Sequence, residues 1–319
     1  MKILLTSVGR RGYLVKYFKR ALGKDGRVWG ADSSPYTPAF EYCDKTILIP
    51  EIGECDYAAE VLTLCKKNKI DIVVPLIDPE LIVLAKNRQQ FYDENILVVV
   101  SPVRTIEIAY DKFLTYQFGK DNGIAVPQTF INIDDALQAV SDGRLNFPLL
   151  VKPRNGSASL GILSCQNESQ LRFAFENCPQ PMIQQYIKSD EYGIDSFCDF
   201  DFAPISVLCK KKLLMRAGET DKAVSVNDPA LLDFGLKIVQ KLQVFGPADL
   251  DVVIDNGEPK LLEINPRFGG GYPCAHLAGA DFPGKLIAIR NGNKLNPDIG
   301  SFPAGIYMLK QDEIITMTE

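Results

Sequence analysis

Short apolar runs alternate with amphipathic stretches through roughly the first hundred residues. Apolar runs of this length predict buried strands, and apolar residues that recur at helical spacing predict helices. Strands connected through helices imply a parallel sheet that is covered on both faces. The sequence therefore predicts a doubly wound α/β unit with the segments KILLTS, a helix from about Tyr13 to Leu22, RVWGAD, TILIP, a helix from about Tyr57 to Asn68, IDIVVPL and ILVVVS.

A boundary is expected near Ser101-Pro102, followed by one helix from roughly Val103 to Asn122 that carries Asp111-Lys112 and ends at Gly123. A small α+β unit is predicted next, made of PQTFI, a helix from about Ile133 to Ser141, FPLLVKP, ILSC, a helix from Glu168 to Asn177 and PMIQQYI. The last part is predicted to contain a β-rich stretch from Tyr192 to Leu214, a helix from Pro229 to Leu242, the strands ADLDVVID and GEPKLLEINPR, and a C-terminal tail.

Composition excludes several classes of protein. The 46% of hydrophobic and 24% of charged residues are typical of a globular chain, and the net charge of −5 argues against a non-specific nucleic-acid binder. We expect no membrane partner, because neither a signal peptide nor a membrane-spanning run is found. The eight cysteines form no CxxC pair, which favours reduced cysteines in a cytoplasmic protein over a metal cluster or a disulfide framework.

Lys152 ends an apolar strand and is followed by the small, polar loop from Asn155 to Gly161. A lysine on a buried strand needs an anion, and the loop residues Gly156, Ser157, Ser159 and Gly161 allow backbone amides to approach a phosphate closely. The spacing differs from a Walker loop, because the lysine precedes the glycines. The alternative is an exposed lysine that leads into an ordinary turn.

Asp251, Glu263 and Asn265 form a more specific set. Residues two apart on a strand point the same way, so Glu263 and Asn265 present two oxygen ligands to one place. The Asn256-Gly257 turn predicts a hairpin that brings Asp251 alongside them. Three oxygen donors suit Mg²⁺, which takes its remaining ligands from phosphates and water. A polar sheet edge or a helix cap is the alternative interpretation.

Further charged residues flank these two motifs. Arg267 and Gly270 follow the proposed ligands and offer a cation and a backbone donor, and Arg216 adds a second cation for a phosphate in transfer. A surface ion pair is the alternative for each arginine. Asp78 and Glu80 follow an apolar strand at its carboxyl end, where they either contact a substrate amine or cap the next helix.

Taken together, VKPRNGSASLGI, IQQYIKSDEYGIDSF, RAGETDK and EINPRFGGGYP resemble the ATP-grasp superfamily. The nearest branch is related to the large subunit of carbamoyl-phosphate synthase, and the resemblance covers essentially the whole chain. Its most specific part is EINPRFGGG with an acidic residue twelve positions before the glutamate. The synthase subunit contains two such halves and an allosteric region, so this chain, with one half, is more similar to stand-alone ligases.

The resemblance implies a Rossmann-like pre-ATP-grasp domain over residues 1–103 and a two-part ATP-grasp domain over residues 104–319. The latter divides into a small lid subdomain, about 113–185, and a large metal-binding subdomain, about 186–319. In this family the hinge strand receives adenine through its backbone and an acidic residue meets the ribose. The implied ATP-binding residues are Lys112, Lys152, Asn155, Gly156, Ser157, Ser159, Gly161, Gln184, Gln185, Ile187 and Glu191.

The resemblance also assigns Asp251, Glu263 and Asn265 as magnesium ligands and places Arg267 beside an acyl-phosphate. Two departures are noted: glutamines occupy the hinge where many relatives carry a glutamate, and Asp251 replaces a more usual glutamate. The expected function is an ADP-forming ligase that uses ATP and Mg²⁺ to join a small-molecule carboxylate to an amine through an acyl-phosphate. A small-molecule or carbamate kinase-type phosphotransferase, a non-catalytic ATP sensor, the use of Mn²⁺ and a homodimer stay open.

Overall fold

The structure is a computed structural model that describes residues 1–54, 56–156 and 161–316. Its first part is a parallel sheet with the strands β1 (Lys2–Thr6), β2 (Arg27–Asp32), β3 (Lys45–Leu48), β4 (Ile72–Pro75) and β5 (Leu97–Val98). The strands lie in the order β3-β2-β1-β4-β5. Because this order reverses between β1 and β4, the loops that follow these two strands open a crevice of the kind in which doubly wound sheets bind ligands.

Helices cover both faces of this sheet: α1 (Gly12–Leu22), a short 3₁₀ helix (Pro38–Tyr42), α2 (Tyr57–Asn68), α3 (Asp78–Asp93) and α4 (Val103–Tyr110). The alternation of side chains along β1 divides the core between the two faces. Ile3 and Leu5 pack with residues of α1, whereas Leu4 packs with residues of α2 and α3. The predicted doubly wound α/β unit is confirmed.

The single helix predicted from Val103 to Asn122 is wrong, because the chain breaks at Asp111 between α4 and α5 (Lys112–Asp121). Asp111 adopts an extended backbone, and its carboxylate accepts hydrogen bonds from the amides of Phe113 and Leu114. An aspartate in this position satisfies amides that would otherwise lack partners at the start of a helix. The break makes Lys112 the first residue of α5.

The second part of the chain is a small antiparallel sheet with two helices. Its elements are β6 (Thr129–Phe130), α6 (Ile133–Ser141), β7 (Leu149–Pro153), β8 (Leu163–Cys165), α7 (Glu168–Asn177) and β9 (Pro181–Gln185). The strand order is β6-β9-β7-β8. Leu149 and Val151 point into a core shared with Ala136 of α6 and Leu171 of α7, which leaves Lys152 on the opposite face of β7.

The third part is a six-stranded antiparallel sheet. Its elements are β10 (Glu191–Cys198), β11 (Pro204–Arg216), β12 (Glu219–Val226), α8 (Pro229–Leu242), β13 (Gly246–Asp255) and β14 (Glu258–Asn265), followed by α9 (Tyr272–Leu277), α10 (Phe282–Arg290) and β15 (Tyr307–Leu309). The strand order is β14-β13-β10-β11-β12-β15. Asn256 and Gly257 both have positive φ angles in the turn between β13 and β14, as the predicted hairpin requires.

The C-terminal part, predicted only as a tail, contains two helices and a strand. Leu286 and Ile289 of α10 share a buried cluster with Leu14 and Phe18 of α1, and β15 pairs with β12. The last described segments therefore pack against both the first sheet and the third. Within the described part of the chain, no helix has the length and apolar character needed to cross a membrane.

Candidate active site

The β13–β14 hairpin places four polar residues on one face. Asp251 pairs in register with Glu263, and Asp249 pairs with Asn265. Because residues two apart on a strand share a face, all four side chains point the same way. They line a cavity of about 140 Å³ that is also bounded by residues of the first sheet and of β11 and β12. The structure thus brings together the three metal ligands that the sequence proposes.

Lysines meet the carboxylates of Asp251 and Glu263 on this face of the hairpin. The Nζ atom of Lys212, on β11, lies 2.6 Å from Oδ1 of Asp251 and 3.6 Å from Oε2 of Glu191. The Nζ atom of Lys112 lies 3.3 Å from Oε1 of Glu263. Lys212 is almost completely buried and was not among the predicted site residues. Its signal in the sequence is the run of three lysines in a strand, because alternation requires at least one of them to face inward.

Burial shifts the ionisation of the site. It raises the pKa of Asp251 to about 6; Lys212 opposes this shift, and the neighbouring carboxylates of Asp249 and Glu263 add to it. Burial also lowers the pKa of Lys152 to about 8, and the negative charge of Glu263 opposes this shift. A cation bound beside Asp251 would favour the ionised form of this carboxyl group, and so oppose the effect of burial on its pKa.

The donor set fits a magnesium ion held together with phosphates. Within residues 1–54, 56–156 and 161–316 no group of three or more histidine, cysteine or acidic side chains is arranged as a metal site. Three oxygen donors converge on the cavity: the carboxylates of Asp251 and Glu263 and the amide oxygen of Asn265. Mg²⁺ uses one or two protein carboxylates and completes its shell with phosphates and water, so this set suffices.

Lys112, at the start of α5, and Lys152, on β7 of the second sheet, both lie near the carboxylate of Glu263. Lys112 donates to the carbonyl oxygen of Gly156 at 2.5 Å, which ties the start of the glycine loop to α5. Lys152 is buried and close enough to Glu263 and Glu191 for their charges to affect its pKa. Gly161 has a positive φ of 74°. Ser157 and Ser159, predicted to contact phosphate, lie outside the described residues.

The other residues predicted to bind ATP lie on or near β9 and β10. The side chain of Gln184 is buried and donates to Thr129, and that of Gln185 accepts from the amide of Gln128. Both glutamine side chains are thus used to hold β6. Asn155 donates to the side chain of Gln180. Ile187 lies in the segment after β9, and Glu191 opens β10 and lines the cavity.

The first sheet contributes Asp78 and Arg11 to the cavity. Asp78 begins α3 after β4, and its carboxylate accepts from Arg267 at 2.8 Å; Arg267 also donates to Oδ1 of Asn265 at 2.9 Å. Arg11, in the loop after β1, lies 3.3 Å from Glu219 of β12. Sequence reasoning missed Arg11, although the reversal of strand order at β1 and β4 marks this loop as a ligand site.

The structure does not bring Glu80 or Arg216 into the cavity. Glu80 is fully buried within the first part, where it accepts from Ser7 at 3.1 Å and from Tyr57. It lies two residues after Asp78 on a helix, so the two side chains point in different directions. Arg216 is half exposed, and its guanidinium group pairs with Asp221 and, through two nitrogens, with Asp312. Neither residue lines the central cavity.

A buried ion cluster supports the loop after β14. The Nζ atom of Lys210 lies 2.5 Å from Asp195 and 2.8 Å from Asp249, and its side chain has no exposed surface. A Cβ atom on Gly271 would lie 2.5 Å from Cε of Lys210, and one on Gly269 would collide with Asp249. Glycines are therefore required where this loop crosses the cluster. Gly270, between them, lines the cavity next to Glu219.

Two family models match the chain. The model described as a PylC-like N-terminal domain matches residues 3–99, and the model described as an ATP-grasp domain matches residues 109–271. The second match covers half of the chain, and the two together follow the order of the sheets described above.

Curated relatives and solved structures agree with these matches. The chain is 26% identical over 218 residues to a carbamoyl-phosphate synthase of Methanobrevibacter smithii, an alignment that covers 64% of this chain and 59% of the relative. It is 30% identical over 211 residues to a D-alanine--D-alanine ligase of Helicobacter pylori, with 60% of each protein covered. The chain thus spans about three fifths of the length of these relatives.

A similar fold is found in the biotin carboxylase domain of the Hydrogenobacter thermophilus 2-oxoglutarate carboxylase, which was solved with MgADP, ADP and bicarbonate. The TM-score is 0.74 at 16% sequence identity, and the match covers 96% of this chain and 73% of that one. This likeness concerns the fold alone. With the family matches, it confirms the predicted α/β and α+β fold, in which a Rossmann-like part is followed by a two-part ATP-grasp domain.

Proposed function

The chain belongs to the ATP-grasp family, and on that premise we propose that it is an ADP-forming ligase that joins a carboxylic acid to an amine. The observation that carries this proposal is the convergence of two carboxylates, an amide and two cations on one cavity. Asp251, Glu263 and Asn265 face Lys212 and Arg267 there. Relatives named D-alanine--D-alanine ligase and carbamoyl-phosphate synthase support the reaction class.

The nucleotide binds, in this proposal, between the second and third sheets. Its phosphates contact Lys152 of the second sheet, Lys112 at the start of α5 and Lys212 of the third sheet. Gly156 and the hinge after β9 enclose the rest of the nucleotide. Magnesium held by Asp251, Glu263 and Asn265 would offset the negative charge of the phosphates during transfer. Lys152 is half deprotonated near its pKa of about 8, and phosphate binding favours its charged form.

The reaction has two steps. An oxygen of the substrate carboxylate attacks the γ-phosphorus of ATP, the bond to ADP breaks, and an acyl-phosphate forms. The amine nitrogen then attacks the acyl carbon, inorganic phosphate leaves, and the nitrogen loses a proton. Arg267 is positioned for both steps, because its guanidinium group is held between Asn265 and Asp78 in the cavity that Gly270 also lines. Positioning and charge stabilisation supply the catalysis.

A screen for ADP release over pairs of carboxylic acids and amines tests this proposal. Hydroxylamine, added in place of the amine, traps an acyl-phosphate as a hydroxamate. We expect an acid that supports ADP release to yield hydroxamate in equal amount, with both products requiring Mg²⁺. ADP release from a competent acid without hydroxamate or amide would show phosphotransfer to another group and overturn the ligase assignment.

Two glutamates of β14 provide a matched pair of variants. Glu263 lies on the cavity, whereas Glu258 is exposed at the other end of the same strand. Glu263→Gln should reduce kcat by about two orders of magnitude or more and raise the Mg²⁺ requirement, because a neutral amide no longer offsets a divalent charge. Glu258→Gln should retain wild-type rates. Equal rates in the two variants would remove Glu263 from the metal site.

A further inference from the structure

A buried carboxylate connects three segments at the carboxyl edge of the parallel sheet. Glu80, in the first turn of α3, has no exposed surface. Its carboxylate accepts a hydrogen bond of 3.1 Å from the hydroxyl of Ser7, the residue after β1, and another from the hydroxyl of Tyr57, the first residue of α2. Within the described ranges no lysine or arginine forms an ion pair with it. A buried carboxyl group without a cation is costly, which points to a role beyond packing.

Two of these segments lead into the central cavity. Arg11 lies four residues after the serine, and Asp78 lies two residues before Glu80. Both line the cavity, where a guanidinium nitrogen of Arg11 lies 3.3 Å from Oε1 of Glu219 and one of Arg267 lies 2.8 Å from Oδ2 of Asp78. The carboxylate of Glu80 thus holds together the two segments from which the parallel sheet reaches the cavity.

The turn after β1 has a backbone that needs support. Ser7 has a φ of 51°, a left-handed conformation that residues other than glycine rarely adopt. Gly9, with the same φ of 51°, donates its amide to Oδ2 of Asp32 at 2.9 Å. Two carboxylates therefore fix this turn, one at the backbone of Gly9 and the other, that of Glu80, at the hydroxyl of Ser7.

The hydrogen bonds around Glu80 fit its ionised form. Both hydroxyl groups donate to it, and an ionised carboxylate can accept both because it has no proton to place. A protonated carboxyl group must donate from one oxygen, so one of the two hydroxyls has to turn or withdraw. Tyr57 cannot accommodate the change by ionising, since burial and the charge of Glu80 raise the pKa of its hydroxyl group. The two forms of Glu80 therefore hold Ser7 and Tyr57 differently.

The surroundings of Glu80 favour uptake of a proton near neutral pH. Burial raises the pKa of its carboxyl group to about 7, and the negative charge of Asp32, at the end of β2, adds to this shift. The two hydroxyl hydrogen bonds oppose it. Asp78, on the same helix, is turned towards Arg267 instead. Both forms of Glu80 are therefore populated at neutral pH.

We propose that Glu80 is a positioning residue for the reaction: its ionised carboxylate holds the turn after β1 and the start of α3 in the arrangement that brings Arg11 and Asp78 to the central cavity. Protonation loosens this arrangement, and with it the position of Arg267, which Asp78 binds. The inference rests on the proposed function, because turnover of ATP with a carboxylic acid is what it concerns. Turnover should fall as Glu80 takes up a proton.

The test follows kcat for ADP release against pH, with Mg²⁺-ATP and the acid identified in the screen. Absence of hydroxamate would overturn the ligase assignment, whereas ADP release reports on Glu80 whichever group accepts the phosphate. Glu80→Gln is neutral at every pH and so represents the protonated form. We expect its kcat to lie about tenfold below the wild type at pH 8 and within about twofold of it at pH 6, where the wild-type carboxyl group is mostly protonated.

The comparison at each pH cancels the ionisation of other groups in the enzyme, such as Lys152 and Asp251. Glu60→Gln, at an exposed glutamate of α2, is the matched control and should equal the wild type at both pH values. A loss in Glu80→Gln by the same factor at pH 6 and pH 8, or no loss at either, would overturn the inference.

Removal of the hydrogen-bond donors provides a second test that keeps the carboxyl group. Tyr57→Phe and Ser7→Ala each remove a hydrogen bond that favours the ionised form, so each should move the fall in kcat to higher pH by about one to two units. Tyr92→Phe, at an exposed tyrosine of α3, should retain the wild-type profile. A tyrosine or serine with a packing role alone would not move the profile along the pH axis, so an unmoved profile in both variants would contradict the role of Glu80.

Discussion

Charged side chains around the central cavity are paired across elements that lie far apart in the sequence. Lys212 of β11 meets Asp251 of β13, Lys112 of α5 meets Glu263 of β14, and Arg267 meets Asp78 of α3. In each pair, one residue is assigned to phosphate or metal binding in the proposed function, and its partner lies on another strand or helix. These pairs hold the cations in place before a ligand arrives, which reduces the cost of organising the site during catalysis.

Lys212 and its neighbour Lys211 offer a test of this arrangement. Their side chains point to opposite faces of β11, so Lys211 pairs with Asp190 on the surface while Lys212 faces the cavity. Lys212→Met should lower kcat about a hundredfold or more, because a cation is lost where phosphate charge develops. Lys211→Met should lower it less than about twofold. A steady-state assay of ADP release separates the two, and comparable activity of both variants would contradict the role of Lys212.

Glu80 gives a prediction for the dependence of stability on pH. Burial raises the pKa of its carboxyl group to about 7, and the hydrogen bonds from Tyr57 and Ser7 oppose the shift. An unfolded glutamate ionises near its ordinary pKa of about 4.3, so between about pH 4.3 and 7 the folded protein binds more protons than the unfolded one. Stability from this residue is therefore present at low pH and falls as the pH rises through this range.

Glu80→Gln should remove this part of the pH dependence. The difference in free energy of unfolding between pH 5 and pH 8 should shift by an amount on the order of 2 kcal/mol in favour of pH 8 relative to the wild type. Urea unfolding at the two pH values measures it. Glu60→Gln, at an exposed glutamate of α2, is the control and should follow the wild-type curve. A wild-type pH dependence in Glu80→Gln would contradict the assignment.

The sequence predicts residues that follow a local rule better than residues that depend on folding. Asp251, Glu263 and Asn265 were found because strand alternation and the Asn256-Gly257 turn are local signals. Lys212 and Arg11 were missed, because their contacts with Asp251 and Glu219 join strands or loops whose pairing is set by the tertiary fold. Arg216 was expected in the site, but Asp312, nearly one hundred residues away, binds its guanidinium group outside the cavity.

The loop from Gly269 to Gly271, between β14 and α9, packs directly on the buried cluster of Lys210, Asp195 and Asp249. Gly271→Ala should reduce both activity and stability, because its Cβ atom would lie 2.5 Å from Cε of the fully buried Lys210, which cannot move without separating from Asp195 and Asp249. Overpacking of this kind costs about 1 to 3 kcal/mol. Denaturant unfolding measures the loss, and Gly53→Ala, where a Cβ atom meets nothing within 4 Å, should unfold as the wild type does.

The activity of Gly271→Ala relative to its stability shows what the loop does. We expect turnover to fall at temperatures where the variant remains folded, since Gly270 lines the cavity. Full activity per folded molecule would mean that the loop does not contact the reacting groups. Unchanged stability would mean that Lys210 can move aside, and would contradict the close packing of the buried cluster.

Four helices lie at the bounds, two of them approximate, that the sequence predicts. The segments Tyr57–Asn68, Ile133–Ser141, Glu168–Asn177 and Pro229–Leu242 are helices with these bounds. In contrast, the break at Asp111 was missed because a capping aspartate inside an amphipathic stretch is also an ordinary helix residue. The C-terminal helices and β15 were missed because they are defined by packing on α1 and pairing with β12, both distant in sequence.

At the scale of the whole molecule, the central cavity lies between the parallel sheet and the large antiparallel sheet. The parallel sheet supplies Arg11 and Asp78, and the large antiparallel sheet supplies Asp251, Glu263 and Lys212. The small antiparallel sheet supplies Lys152, whose charge interacts with that of Glu263 at the edge of the cavity. Since all three sheets place charged side chains at or near this cavity, substrate binding and phosphate transfer are expected to require the chain as a unit.

The central claim is that the carboxylate substrate is phosphorylated on one of its own oxygens. The most direct measurement follows ¹⁸O from a labelled carboxylate during amide formation, with ³¹P NMR of the phosphate that is released. Attack of the carboxylate on ATP and departure of phosphate from the acyl group transfer one labelled oxygen to each phosphate. We expect one ¹⁸O atom in every phosphate formed together with ADP and amide. Phosphate that contains no label, or label retained entirely in the amide and acid, would contradict the acyl-phosphate mechanism.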